Sequence, residues 1–157
     1  MSAATVCGTG TMSVEQLLPP SSPGMFLRHR NRGFTAYITA TAQTLSTVRR
    51  LTRSVPVAYG AAADTAASAQ LVVSELIGNA VNAFGDFVPL VIEVYVVLGR
   101  GIAVTVLDPV PELLPQRGDA ALDSESGRGL ALLDAFAPGW QIECTGLGKQ
   151  LQCLVQQ

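Results

Sequence analysis

The hydrophobic and polar positions of this chain change period several times, and each change marks an element. Gly33 to Thr41 is dense in aromatic and β-branched residues and predicts a strand. From Thr44 to about Ser54 the apolar positions Leu45, Val48 and Leu51 recur at helical spacing, with Arg49, Arg50 and Arg53 mostly on the other side. Pro56 and Gly60 are expected to close that helix. A longer helical pattern follows, with Asp64 as candidate N-cap, Phe84 near its end and Gly85-Asp86 as its stop. Val88 to Leu98 then alternates at period two. Leu90, Ile92, Val94, Val96 and Leu98 share one face, and Val91, Glu93, Tyr95 and Val97 share the other. Gly99-Arg100-Gly101 fits a tight turn. In the return strand Ile102, Val104 and Val106 share a face, and Asp108 is next in that phase.

Periodicity then lapses. Residues Pro109 to Ser126 carry three prolines and read as a long loop. A short helix is expected from Leu130 to about Phe136, stopped by Pro138-Gly139. A last hairpin is expected from Trp140 to Thr145 and Lys149 to Val155, across Gly146-Leu147-Gly148. This order of elements predicts an α+β fold: a two-layer sandwich with a mixed or antiparallel sheet and helices on one face. Residues 1–31 are rich in Thr, Ser, Gly and Pro and read as a tail, leaving residues 32–157 as one domain.

Composition narrows the function. At 157 residues with 48% hydrophobic and 14% charged residues, the chain can bury a substantial core. A net charge of -2 gives no general reason to expect direct binding of nucleic acid or an acidic membrane. The charge is unevenly spread, because six of ten Lys/Arg lie between Arg28 and Arg53 and eleven of twelve acids follow residue 63. Cys7, Cys144 and Cys153 make no metal-spaced cluster, and His29 is the sole histidine, so a His/Cys zinc site is not expected. Cys144 and Cys153 read as small core residues of late strands. No secretory signal or membrane-spanning run is visible, and a cytoplasmic location is expected.

The most informative stretch is Leu71-Val-Val-Ser-Glu-Leu-Ile-Gly-Asn-Ala-Val-Asn-Ala-Phe84. At about 100° per residue, Glu75, Asn79 and Asn82 fall within roughly 60° of one another. Val73, Leu76, Ile77 and Ala80 fill the broad apolar face. Leu71 and Val72 border the polar strip. A carboxylate and two carboxamides beside apolar neighbours call for partners, since burying them alone is costly. A metal ion and a polar ligand would serve. If the apolar face of this strand packs on the helices, Asp108, next in its phase, points toward the helix layer, where a ligand contact suits it better than a structural role.

Three stretches now stand in order: Glu75-Leu-Ile-Gly-Asn79 on a helix, Asp108 at a strand end, and Glu125-Ser-Gly-Arg-Gly-Leu130 before a helix. Together they resemble the ATP-binding domain of the gyrase, heat-shock chaperone, histidine kinase and mismatch-repair superfamily. The closest resemblance within it is to the small anti-sigma-factor serine kinases of actinobacteria. The resemblance covers about Phe34 to Val155 and implies the Bergerat-type ATP-binding fold, with ATP and Mg²⁺ as cofactors. It makes Asn79 the magnesium ligand, and a carboxamide oxygen with waters and phosphate oxygens suits that hard cation. It makes Glu75 the general base, Asp108 the acceptor for the adenine amino group, and Gly127 and Gly129 the phosphate-approaching glycines. Asn82 and Leu130 fall among the nucleotide contacts. Arg128 is either a further charge near the phosphates or an exposed loop residue. Residues 109–126 correspond to the lid. The partners implied are a sigma factor, a small anti-anti-sigma protein, or both, and a homodimer.

The chain departs from the superfamily pattern in places. The first glycine motif is replaced by Asp108-Pro-Val-Pro-Glu112, which has no glycine and lacks an N–H at each proline. Gln150 stands where a threonine commonly follows the Gly-Lys turn. Gly146-Leu-Gly-Lys149 lacks the spacing and the following helix of a P-loop. Three function classes therefore remain: a serine/threonine kinase acting on a partner protein, a nucleotide-responsive binding module with little turnover, and an interaction domain that has lost ATP.

Overall fold

The computed structural model describes residues 18–108, 131–146 and 148–157. Six strands and two long helices make up these residues. Strands β1 (Met25–Arg30) and β2 (Gly33–Thr39) precede helices α1 (Ala42–Ala58) and α2 (Ala63–Phe84). Strands β3 (Pro89–Val97), β4 (Gly101–Asp108), β5 (Gln141–Thr145) and β6 (Gly148–Gln156) follow, with a short helical turn at residues 131–136 between β4 and β5. The sheet order is β1-β2-β3-β4-β6-β5, and every pairing between neighbouring strands is antiparallel. The α+β sandwich expected from the sequence is the observed architecture.

Alternation decides which sheet face is covered. Phe34, Ala36 and Ile38 of β2, Ile92 and Val94 of β3, Ile102 and Val104 of β4, and Leu151 and Val155 of β6 are all buried in one core. Helix α1 packs on β2 and β3, while α2 packs on β4 and β6. From α2, Val72, Val73 and Ile77 enter this core with no exposed surface. Each such side chain contributes about 1.5–3 kcal/mol by leaving water. The opposite sheet face carries Phe26 and Tyr37, both exposed and tilted against each other, and the Arg30–Glu93 ion pair. Arg30 also lies over the Tyr95 ring, 3.9 Å from its centroid.

Several boundaries differ from the sequence reading, each for an identifiable reason. Strand β1 lies inside the stretch read as tail. It is an edge strand with Met25 as its one buried residue, so Arg28, His29 and Arg30 mask its alternation. Pro56 sits within α1 rather than ending it. It falls in the last turn, where it removes a single ladder bond and its ring is buried. The N-cap of α2 is Ala62, which makes no side-chain cap bond, and Asp64 lies in the first turn, where its charge still favours the helix dipole. At the other end Gly85 closes α2 at φ 89°, as Gly85-Asp86 foretold. Leu98 falls just past β3 and is exposed, whereas Val88, just before β3 at its other end, is buried.

Helix α1 begins with a reciprocal cap. The Thr41 hydroxyl accepts from the Thr44 N–H at 3.1 Å, and the Thr44 hydroxyl accepts from the Thr41 N–H at 2.9 Å. Thr44 also donates to the Thr39 carbonyl at 2.8 Å, tying the helix start to the end of β2. The two helices are joined on their exposed side. Arg49 Nε donates to Ser74 Oγ, and Gln70 Nε2 donates to the Arg49 carbonyl, each at 3.0 Å. These bonds fix the rotation of α2 one residue before Glu75.

Candidate functional site

Helix α2 carries the acid-amide strip where the sequence placed it. Val73, Leu76, Ile77 and Ala80 are buried, while Glu75 and Asn79 are half-buried and Asn82 is exposed in the last turns. The strip is neither core nor free surface. Gly78 shares a face with Leu71, Glu75 and Asn82 by helical spacing. Among the described residues, a Cβ placed on it would meet nothing within 4 Å.

Asp108 ends β4 in phase with Ile102, Val104 and Val106 and is 2% exposed. It therefore faces the helix layer, as the strand phase predicted. The topology sets it at the same end of the sheet as the C-terminal half of α2. That helix leads through Phe87 and Val88 into β3, and both residues are pinned to Ala40 by backbone bonds of 3.0 Å. The start of β3 pairs with the end of β4, Val91 opposite Leu107. A buried carboxylate and a half-buried acid-amide strip thus belong to one end of one layer. Gly127, Arg128, Gly129 and Leu130 lie outside the described residues, as does the segment 109–126 that corresponds to the lid.

The structure adds a residue that local sequence patterns did not single out. In the β4–β6 register Asp108 pairs with Lys149, and in the β5–β6 register Lys149 pairs with Cys144. Cross-strand partners project to the same sheet face, so the three form a row, Asp108–Lys149–Cys144, on the sheet face that carries the helices. Burial pushes the Lys149 amine below the usual lysine range, and the Asp108 carboxylate and the Cys144 sulfur oppose that shift. Cys144 is exposed, in contrast to its reading as a core residue, whereas Cys153 is buried as read. Burial pushes the Cys153 thiol up to about 12.

The donors fit a nucleotide better than a bare metal. Among the described residues no three His, Cys, Asp or Glu side chains gather as a metal site. Asn79 offers one neutral oxygen, and a magnesium ion bound through one protein oxygen takes its remaining ligands from water and phosphate. Asp108 offers a buried acceptor for an amino group. A separate cavity of about 700 Å³ lies on the other sheet face, lined by Phe26, Tyr37, Val91 and Leu107 among others. It holds none of the acid-amide strip.

The sequence matches the histidine kinase-like ATPase domain family over residues 38–153. The chain belongs to this family. The match runs from the end of β2 to β6 and includes Glu75, Asn79, Asp108 and Lys149, whereas β1 lies before it. The chain is also similar to an uncharacterized protein of Streptomyces coelicolor, 39% identical over 83 residues. That alignment covers 51% of this chain and 77% of the relative. Membership accounts for the superfamily resemblance and implies ATP binding, for which the α+β layer with α2 across the sheet is the expected frame. No helix among the described residues is long and apolar enough to cross a membrane.

Proposed function

We propose that this histidine kinase-like ATPase domain is an ATP-binding regulator of the anti-sigma-factor type, and that it phosphorylates a serine or threonine of a small anti-anti-sigma partner. The observation that supports this reading is the half-buried Glu75–Asn79 strip on α2, one turn apart, at the sheet end that also holds the buried Asp108. Asp108 accepts a hydrogen bond from the adenine amino group and orients the base. Asn79 holds magnesium through its carboxamide oxygen, and the bound ion supplies charge neutralisation at the phosphates. Glu75 takes the proton of the partner's hydroxyl. That oxygen forms a bond to the γ-phosphorus as the bond to the β–γ bridging oxygen breaks, and ADP departs. Most of the catalysis is positioning, as in phosphoryl transfer generally. In the same reading the chain acts in the cytoplasm on a sigma factor, an anti-anti-sigma protein, or both, and forms a homodimer.

One sequence feature favours a second reading, that of a nucleotide-responsive binding module without turnover. Pro109-Val-Pro111 directly follows Asp108 and offers no glycine for close backbone approach to phosphate. Titration calorimetry with ATP, with and without magnesium, tests the shared nucleotide step, and Asp108→Ala should weaken that binding. Incubation with labelled ATP and candidate anti-anti-sigma proteins separates the readings. Transfer to a partner that is lost in Glu75→Gln supports the kinase. Transfer that persists in that variant rejects Glu75 as the base. ATP binding with no transfer to any partner supports the module. No heat with ATP removes both.

A further inference from the structure

Asp108 is an unusual group to bury. At 2% exposure a carboxylate that lacks a compensating charge takes up a proton and becomes a hydrogen-bond donor. The two protonation states read a purine differently. An ionised carboxylate only accepts, so it pairs with the 6-amino group of adenine and repels the 6-oxo group of guanine. A protonated carboxyl can donate to that oxo group. Discrimination between the two bases at this position therefore depends on what keeps Asp108 charged.

The groups around it can be named by element. On β6 the register partner is Lys149, half-buried and on the same sheet face. On β5, one strand further, Cys144 pairs with Lys149. On β3 the residue in phase is Leu90, buried and uncharged. Helix α2, packed on β4, contributes Glu75, half-buried, and otherwise the apolar Leu76, Ile77 and Ala80. In the turn at 131–136, Asp134 accepts the Trp140 indole hydrogen bond. Glu75 and Asp134 are acids and would favour protonation of Asp108. Among these described groups Lys149 is the cation.

We infer that Lys149 is a positioning residue for nucleotide selection, holding the buried Asp108 as an acceptor-only carboxylate and thereby favouring adenine over guanine nucleotides. The inference rests on the ATP-binding reading above and extends it to a residue that does not itself need to touch the base. The arrangement links the nucleotide end of the sheet to the β4–β6 pairing, because this register is what sets Lys149 across from Asp108. The opposing effects at the Lys149 amine agree with it: desolvation disfavours the cation and lowers the amine, and Asp108, with Cys144, offsets part of that shift.

The test uses the full chain and the variants Lys149→Met, Lys149→Arg and Asp108→Asn, each first shown to be folded by circular dichroism. Carboxyl-carbon NMR follows the Asp108 titration directly and needs no nucleotide. The wild type should keep Asp108 ionised at pH 7. Lys149→Met should raise its midpoint by about one pH unit or more, and Lys149→Arg should restore it. Calorimetry with ATP-Mg and GTP-Mg at pH 6 and pH 8 reads the consequence. The ATP-over-GTP preference should fall about tenfold in Lys149→Met at pH 6, recover in part at pH 8, and be retained in Lys149→Arg. Asp108→Asn, whose amide can donate at any pH, should lose the preference at both. An unchanged Asp108 midpoint in Lys149→Met overturns the inference, and so does a raised midpoint with an unchanged nucleotide ratio. If Lys149→Met does not fold, a wild-type midpoint above pH 7 overturns it, and a midpoint below that with retention in Lys149→Arg supports it. A wild type that binds neither nucleotide sinks the ATP-binding reading and the selectivity step with it, while the carboxyl titration still decides separately whether Lys149 governs Asp108.

Discussion

The indole N–H of Trp140 donates to Oδ1 of Asp134 at 2.8 Å, joining the short helical turn to the approach of β5. Trp140 is the sole tryptophan and is 9% exposed, so its emission reports on this junction alone. Asp134→Leu should remove this acceptor from the indole donor in a largely buried setting. The expected cost is about 1–3 kcal/mol, read by urea denaturation, with a change in Trp140 emission in the folded state. Asp134→Asn keeps an acceptor oxygen and should lose less.

At Asn79 the prediction concerns the metal rather than the fold. The side chain is half-buried at the border of the α2 face that supplies the core. Asn79→Ala should leave thermal stability within about 0.5 kcal/mol of the wild type. It should weaken ATP binding in magnesium about tenfold and affect magnesium-free binding much less. Calorimetry in magnesium and in EDTA separates the two.

Cys153 predicts alkaline sensitivity. Below about pH 9 both folded and unfolded chains keep this thiol protonated. Above that value the unfolded thiol ionises while the folded one, pushed up to about 12 by burial, does not. Protons are then held more tightly by the native state, so stability falls as pH rises, by about 1.4 kcal/mol per unit from this group. Lys149 contributes with the opposite sign, since its amine is lowered in the fold. The comparison of wild type with Cys153→Ala by denaturation at pH 8, 9.5 and 11 therefore isolates the thiol. The variant should show the shallower decline. In a Cys7→Ser background, a thiol reagent should label the exposed Cys144 quickly and Cys153 only on unfolding.

Two glycines should respond in opposite directions to the same substitution. Gly101 begins β4 at φ 145°, and a Cβ there would collide with the Val155 carbonyl oxygen of β6. Gly101→Ala should destabilise by several kcal/mol or prevent β4–β6 pairing, seen as a large drop in the urea midpoint. Gly78 lies inside α2, and among the described residues nothing comes within 4 Å of its Cβ position. Gly78→Ala should stabilise the fold by about 1 kcal/mol through helix propensity.

The sequence makes the local parts of this molecule legible and leaves its long-range pairings hidden. Helix α2, its polar strip and the inward phase of Asp108 follow from period alone, because burial acts on each element's own spacing. Gly85 as a helix stop follows from its left-handed backbone. Strand β1 escapes detection because an edge strand buries little, and charged residues are tolerated where alternation would otherwise show. Pro56 misleads because a proline in the last turn breaks only one bond. Lys149 escapes for a different reason. The hairpin turn at Gly146-Leu147-Gly148 foretells its pairing with β5, but its approach to Asp108 requires knowing that β6 lies beside β4. No local pattern carries that information. The Glu75-to-Asn79 stretch, Asp108 and Ser126-Gly-Arg-Gly-Leu130 in order carried the family resemblance, which the match over residues 38–153 bears out at the level of the superfamily.

The insertion of β6 between β4 and β5 also has a kinetic side. The β3–β4 and β5–β6 hairpins are made of chain neighbours and can close early. Zipping β6 onto β4 must gather segments separated by the whole stretch from 109 to 147, and that entropy is spent before any contact repays it. This seam is therefore expected to close late during folding, and it is the seam that sets Lys149 against Asp108. A ligand that engages Asp108 would grip the native state beside a late-forming join, and should retard unfolding more than it hastens refolding.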